Sequence, residues 1–394
     1  MSRARSVVVL LVLLLAATAP LPAQSPAEEA QLHLTKARTL AGSDFLPTEE
    51  LLCNELPGAS PFDMMEKEER VTPTRVFDNL YFIGTRSVGT WAVKTSQGII
   101  LINALHTQWV TSTLVPGLKK VGLDPADVKY VIVTQGEGDH YGGAKYFQDK
   151  YSSWVMMSPA DWDGLARSGG SRGGERGDSA GRAGRGPGSS TGQGGRGGGG
   201  GGMGGRGGGF GGGRSGGGFG GSFGGGRGGS RGGEGRGGGL ARAIVDEAPR
   251  RDQTVFDGEK ITLGDETVTL VMTPSYTSGA MSVIVPVTWH GEQHTAVVIG
   301  ATRIPPFNAL LTAYINSAKH LGLVADSARV DVGLVTNPFV DNGVARMDSL
   351  HRAAADARNP FIIGPGGFQR LMGVIGECGW VNLLHPRERD AGPP

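Results

Sequence analysis

Apolar runs in both halves of the chain, alternating with polar positions in the second, mark out strands. Upstream, residues 76–84, 91–95 and 98–104 read as successive strands, broken at Thr85-Arg86-Ser87 and Ser96-Gln97-Gly98. A helical period over about 108–121 leads into the apolar run 128–133, read as a buried strand. A helix near 142–151 and a short strand at 154–157 follow. Downstream, 254–263 alternates into a hairpin with 266–272, and 281–288 pairs with 294–299 across a turn at His290-Gly291-Glu292. Helices are expected at 308–321, 346–355 and 367–378, with a strand at 330–335. Strands with interspersed helices in both halves predict two sheets packed face to face, helices outside.

The pattern vanishes between Gly169 and Gly239. That stretch holds 42 of the 69 glycines, with ten arginines and three acidic residues. Its net charge of +7 sits in a chain whose total is +1, leaving −6 on the remainder. So few apolar residues and so much backbone entropy predict a segment that does not fold. Its Arg-Gly-Gly units, interleaved with Phe210, Phe219 and Phe223, suit a polyanion partner; they equally suit an expanded loop with no ligand.

The first residues read as a secretory signal. Arg3 and Arg5 precede an apolar run at 7–17, then Thr18-Ala19-Pro20-Leu21-Pro22-Ala23, with cleavage after Ala23. The run is shorter than the ~20 residues that span a bilayer, and no later segment is long enough. The organisation is therefore a signal peptide at 1–23, one domain in two halves at 24–168 and 240–394, and the insertion at 169–239. The halves together make about 300 residues, a reasonable size for one domain. The expected location is periplasmic or secreted. In an oxidising compartment Cys53 and Cys378 either bridge the ends of the domain or stay as buried thiols. Neither has a second Cys or His at short spacing, which excludes a cysteine metal motif.

Candidate chemistry concentrates after the strand at 128–133, in Thr134-Gln135-Gly136-Glu137-Gly138-Asp139-His140-Tyr141-Gly142-Gly143. Metal-binding side chains spaced by glycines at a strand end are what a hydrolytic metal centre needs, the glycines letting the backbone turn sharply. Gln135, Glu137, Asp139 and His140 are the candidate ligands, and Asp139 the candidate catalytic residue. The motif alone leaves other roles open. Asp139 can cap the next helix while His140 bonds a carbonyl, or Glu137 and Asp139 can form a metal-free acid/base pair in which one pKa rises.

The chain resembles the metallo-β-lactamase superfamily, most closely the third subclass of metallo-β-lactamases and its exported relatives. The resemblance rests on Asp78-Asn79-Leu80-Tyr81-Phe82-Ile83-Gly84, Gly98-Ile99-Ile100-Leu101-Ile102-Asn103-Ala104, the motif, Thr273-Pro274-Ser275-Tyr276-Thr277-Ser278-Gly279 and Thr336-Asn337-Pro338-Phe339-Val340-Asp341. It implies an α+β, four-layer αββα sandwich with the metal groove along one edge of both sheets. The family's His-x-His-x-Asp-His and its two later histidines fall here on Gln135, Glu137, Asp139, His140, Tyr276 and Asn337. Asn103 stands where the family's strand commonly ends in aspartate. In the family these positions hold two zinc ions; with oxygen donors replacing imidazoles, a zinc pair is not expected. One divalent ion on Glu137, Asp139 and His140 stays open, zinc or a harder ion such as Mn²⁺, Mg²⁺ or Ca²⁺, with Tyr276 and Asn337 as weak ligands or pocket walls. The resemblance implies an unidentified small molecule in the groove. It leaves two functions open: a binding protein with hydrolysis lost, or a hydrolase of a lactam, lactone or ester.

Overall fold

The computed structural model describes residues 25–54, 69–170, 246–300, 302–305, 308–354 and 357–385. The expected signal peptide and, beyond Gly170, the Gly/Arg-rich stretch lie outside the described residues. Two sheets carry the fold. The first has seven strands in chain order: β1 (Thr74–Arg75), β2 (Leu80–Gly84), β3 (Gly89–Thr95), β4 (Gly98–Ile102), β5 (Val128–Ile132), β6 (Trp154–Met157) and β7 (Gln253–Thr254). Pairing is antiparallel from β1 to β4 and parallel from β4 to β7. The second sheet runs β12-β11-β10-β9-β8, built from β8 (Lys260–Leu263), β9 (Glu266–Met272), β10 (Met281–Trp289), β11 (Glu292–Ile299) and β12 (Val332–Val335). Only its β11–β12 pair is parallel.

Between the strands lie α1 (Pro26–Ala41), α2 (Leu46–Cys53), α3 (Val115–Lys120), α4 (Gly138–Tyr141), α5 (Ala144–Tyr151), α6 (Pro159–Gly170), α7 (Asn308–Ser327), α8 (Gly343–Arg352) and α9 (Gly364–Leu384). Strand periodicity sorts the side chains into three apolar layers. Leu80, Phe82, Ile100 and Ile102 join Val283, Val285 and Val298 between the sheets. Their neighbours Tyr81, Ile83, Ile99 and Leu101 turn outward onto Leu118, Phe147 and Trp162 of α3, α5 and α6. From the second sheet Ile284, Val297 and Ile299 face Leu311 of α7 and Phe368 and Leu371 of α9. Four layers with three apolar interfaces make the expected αββα sandwich.

Several expected boundaries move for local reasons. The strand expected at 98–104 stops at Ile102 because Asn103 takes a left-handed backbone (φ 68°). The expected helix over 108–121 breaks into a 3₁₀ turn (Thr107–Trp109), a π turn (Val110–Leu114) and α3, where Pro116 has no N–H to continue the ladder. The expected strand at 254–263 divides between the sheets: Thr254 pairs with Met157 of β6, and after a turn at Gly258 (φ +74°) Lys260–Leu263 pairs with β9. Two helices at the chain's start were not expected at all. α1 begins with a capping box, Ser25 with Glu28, and a proline in its first turn. It packs on α9, and the Cys53–Cys378 disulfide ties α2 to α9 with Cα atoms 4.5 Å apart. The bridge, one of the two states left open by the sequence, is the one present.

Candidate metal centre

Strands of both sheets end together where the motif begins. The Asn103 N–H donates to Ile132 O at 2.8 Å and the Val133 N–H to Met156 O at 2.9 Å, which aligns the ends of β4, β5 and β6. Thr134 O then accepts from the Met281 N–H of β10 at 2.8 Å, and Thr336 Oγ1 donates to Gly300 O at 2.8 Å. A Cβ on Gly300 would stand 1.8 Å from Met281 O, so only glycine lets these chains meet. Past this junction the chain runs through Gln135 and Glu137 into the single turn of α4. Glu137 is its N-cap and makes no side-chain cap bond; the next helix, α5, has Gly143 at its N-cap and no side-chain cap bond, so the capping role read for Asp139 is absent. The His140 carbonyl is anchored by the Ala104 N–H at 2.8 Å.

Glu137, Asp139 and His140 converge. One ligand atom from each lies within 4.8 Å of the others, the two carboxylates half-buried and the imidazole fully buried. His140 Nε2 stands 3.5 Å from Asp139 Oδ2. Gln135 is also buried and turns its amide onto the same Nε2, while His140 Nδ1 meets the Asn103 amide nitrogen at 2.8 Å. The two downstream positions are engaged elsewhere. Asn337 donates from Nδ2 to Ser87 O at 2.9 Å, and Tyr276 lies under Arg303, whose guanidinium carbon sits 4.8 Å from the ring centre.

Burial dominates the electrostatics. It pushes the Glu137 carboxyl up to about 8, with Asp139 and Asp161 adding to the rise and Arg303 opposing it. Glu137 is therefore largely protonated at neutral pH. Burial also drives His140 down from the ordinary histidine value, against the pull of Asp139, so the ring is neutral.

Residues outside the motif shape it. Asp161, near the start of α6, accepts on Oδ2 from the Gly136 N–H at 2.9 Å and from Thr277 Oγ1 at 3.1 Å, pinning the motif to the 273–280 loop. Burial raises its carboxyl to about 6 despite those bonds. Asp246 accepts from the Thr107 N–H at 2.8 Å and pairs with His106 Nδ1 at 2.7 Å. The short spacing of Ser158 and Asp161, which bond each other at 3.3 Å, is a helix-start signature visible in sequence; nothing local flags Arg303 or Asp246. These acids also correct the reading of the motif glycines. Gly136, Gly138 and Gly142 all have negative φ. A Cβ on Gly138 or Gly142 would come within 2.1 or 2.3 Å of the Asp246 carboxylate, so those two glycines provide room rather than a sharp turn.

As ligands for two zinc ions these residues do not fit. The group supplies one imidazole and two carboxylates, both nitrogens of that imidazole are already bonded within the protein, and Asn337 and Tyr276 hold other partners. Beside the motif is a cavity of about 340 Å³ lined by Thr107, Gly142, Lys145 and Glu247 among others. None of the predicted site residues lines it.

Residues 93–287 match the Metallo-beta-lactamase superfamily. Among solved structures, the chain is similar to BJP-1, a subclass B3 metallo-β-lactamase of Bradyrhizobium japonicum, at 20% identity and a TM-score of 0.50, covering 76% of this chain and 89% of that one. A metallo-β-lactamase of Cronobacter sakazakii described by a HARLDQ motif matches at 18% identity and a TM-score of 0.53, over 80% and 90% of the two chains. A single-residue variant of the FEZ-1 metallo-β-lactamase from Legionella gormanii matches at 18% identity and 0.54, over 81% and 97%. At these identities the likeness is one of fold. No curated protein matches the chain.

Proposed function

This chain belongs to the metallo-β-lactamase superfamily, and from that premise we propose that it is an exported relative of the zinc-dependent hydrolases whose two-metal site is eroded. Its groove then serves to bind a small molecule, with hydrolysis weak or lost. One observation carries the reading: the only imidazole in the Glu137, Asp139 and His140 group spends both of its nitrogens on Asn103 and Gln135. The Cys53–Cys378 bond supports an oxidising compartment, periplasmic or extracellular. Among the described residues no helix is long and apolar enough to cross a membrane.

The test is metal analysis of protein purified without chelator, together with turnover of a chromogenic lactam and a chromogenic ester. Less than one tightly held zinc per chain and no turnover above background is the expected result. Two tightly held zincs per chain, or turnover abolished by Asp139→Asn, would sink the reading. A second reading draws on the convergence of Glu137 and Asp139, two carboxylates that suit one harder divalent ion better than zinc. In that case stoichiometric Mn²⁺ or Ca²⁺ is found and is lost in His140→Ala. Polyanion binding by the Gly/Arg-rich stretch is a separate proposal, supported by its ten arginines. Deleting 169–239 without changing salt-dependent affinity for DNA or an acidic polysaccharide removes it.

A further inference from the structure

The hydrogen bonds around His140 decide which of its nitrogens carries the proton. Asn103 Oδ1 accepts from the Thr134 N–H at 2.9 Å and lies 3.0 Å from Thr134 Oγ1. A backbone N–H can only donate, so the Asn103 oxygen is committed to Thr134 and its NH₂ is the end that meets His140 Nδ1 at 2.8 Å. An amide NH₂ accepts nothing; Nδ1 is therefore the acceptor, and the single N–H of the neutral ring sits on Nε2. The far side of the ring follows from this. Nε2 is bounded by the Gln135 amide and, 3.5 Å away, by Asp139 Oδ2. As placed, the Gln135 amide nitrogen faces Nε2 and Gln135 Oε1 has no hydrogen-bond partner among the described residues; a neutral ring cannot accept at both nitrogens, and Asn103 is held by Thr134, so the Gln135 amide is the one that turns over to offer Nε2–H its oxygen.

We infer that Asn103 is a positioning residue that locks His140 in its Nε2–H form and so withholds the Nε2 lone pair from the groove. A histidine that ligates a metal through Nε2 keeps its proton on Nδ1 and donates it to an acceptor behind the ring. Asn103 can offer that acceptor only by turning its amide over. Its NH₂ would then confront the Thr134 N–H, two donors face to face at a fully buried position. An aspartate at 103 meets both demands, one oxygen keeping Thr134 and the other drawing the proton to Nδ1. The lock deepens the proposal of an eroded metal site by naming the residue responsible, while the proton's position itself does not depend on that proposal.

The test uses the full chain labelled with ¹⁵N-histidine, with His140 assigned by comparison with His140→Gln. Long-range ¹⁵N correlation at pH 7 is expected to show the Nε2–H pattern for His140, unchanged by added zinc. In Asn103→Asp the pattern is expected to invert to Nδ1–H, and zinc affinity by calorimetry to rise about 10- to 100-fold, the range typical of such supporting partners. That gain should be lost again on adding His140→Gln. An Nδ1–H ring in the unmodified chain, or zinc seen on its Nε2, overturns the inference. An Asn103→Asp spectrum still showing Nε2–H overturns the role of Asn103. An Nε2–H ring in a chain that nonetheless holds zinc through Glu137 and Asp139 supports the lock while sinking the eroded-site proposal; an Nδ1–H ring without zinc does the reverse.

Discussion

Replacing Glu137 with glutamine should make the metal-free protein more stable, and only above acidic pH. Glu137 titrates at about 8 in the folded chain against an ordinary 4.5, because burial and the neighbouring Asp139 disfavour its charge. The folded state thus holds this proton more tightly than the unfolded chain does. The group's favourable contribution is complete below pH 4.5 and is lost as pH rises through 8. At 1.36 kcal/mol per pKa unit the ceiling on that loss is about 5 kcal/mol. Glu137 keeps some solvent contact and shares the site with Arg303, so about 2–3 kcal/mol is the expected size. Glutamine has the same shape and no charge to bury. Urea unfolding of chelator-treated protein, followed by tryptophan fluorescence at pH 4, 7 and 9, measures the difference. Glu137→Gln should exceed the unmodified chain by about 2–3 kcal/mol at pH 9 and match it at pH 4. Parallel pH profiles for the two proteins would refute the burial argument. A parent chain that instead gains stability between pH 5 and 8, with the gain confined to Glu137, would mean that a bound cation keeps the carboxylate charged.

Other consequences can be measured separately. Removing Arg303, which opposes the rise at Glu137, should push that carboxyl further up in Arg303→Met, followed by ¹³C titration; a downward move contradicts the arrangement. Gly300→Ala forces a methyl against Met281 O and the Thr134 side chain at the junction of the two sheets. It should cost about 2–4 kcal/mol in urea unfolding, and a loss under 0.5 kcal/mol would show that the junction yields. Cys378→Ala removes a cross-link between residues 325 apart. A loss of about 2–5 kcal/mol, or roughly 5–15 °C in melting temperature, is expected, and an equal melting point with and without reductant would count against it.

How far the sequence reaches depends on whether a property is periodic and local or set by contacts across the chain. The apolar runs at 98–102 and 281–289 are enough to assign strands buried on both faces, because a pleated strand sends successive side chains to opposite sides. The spacing of Glu137, Asp139 and His140 likewise brings three polar groups onto one short turn, where the structure has them. The order of motifs along the chain pointed to the sandwich that the two sheets form. Arg303 and Asp246 reach the same place from distant elements, and no local pattern announces them; Asp161 shows in sequence as part of a helix start, but its bond to Gly136 does not. The N-terminal helices escaped notice for a similar reason. α1 buries only Ala30, Ala37 and Ala41 against its partners, too narrow a stripe to stand out as an apolar face. What the motif residues can do was decided by tertiary contact alone. An asparagine in place of an aspartate is legible at position 103, but its consequence depends on which end of the amide faces His140. Thr134, thirty-one residues away along the chain, settles that by occupying the oxygen. A sequence names donors and acceptors; only the folded network assigns the protons among them, since each hydrogen bond fixes the orientation that the next must accept.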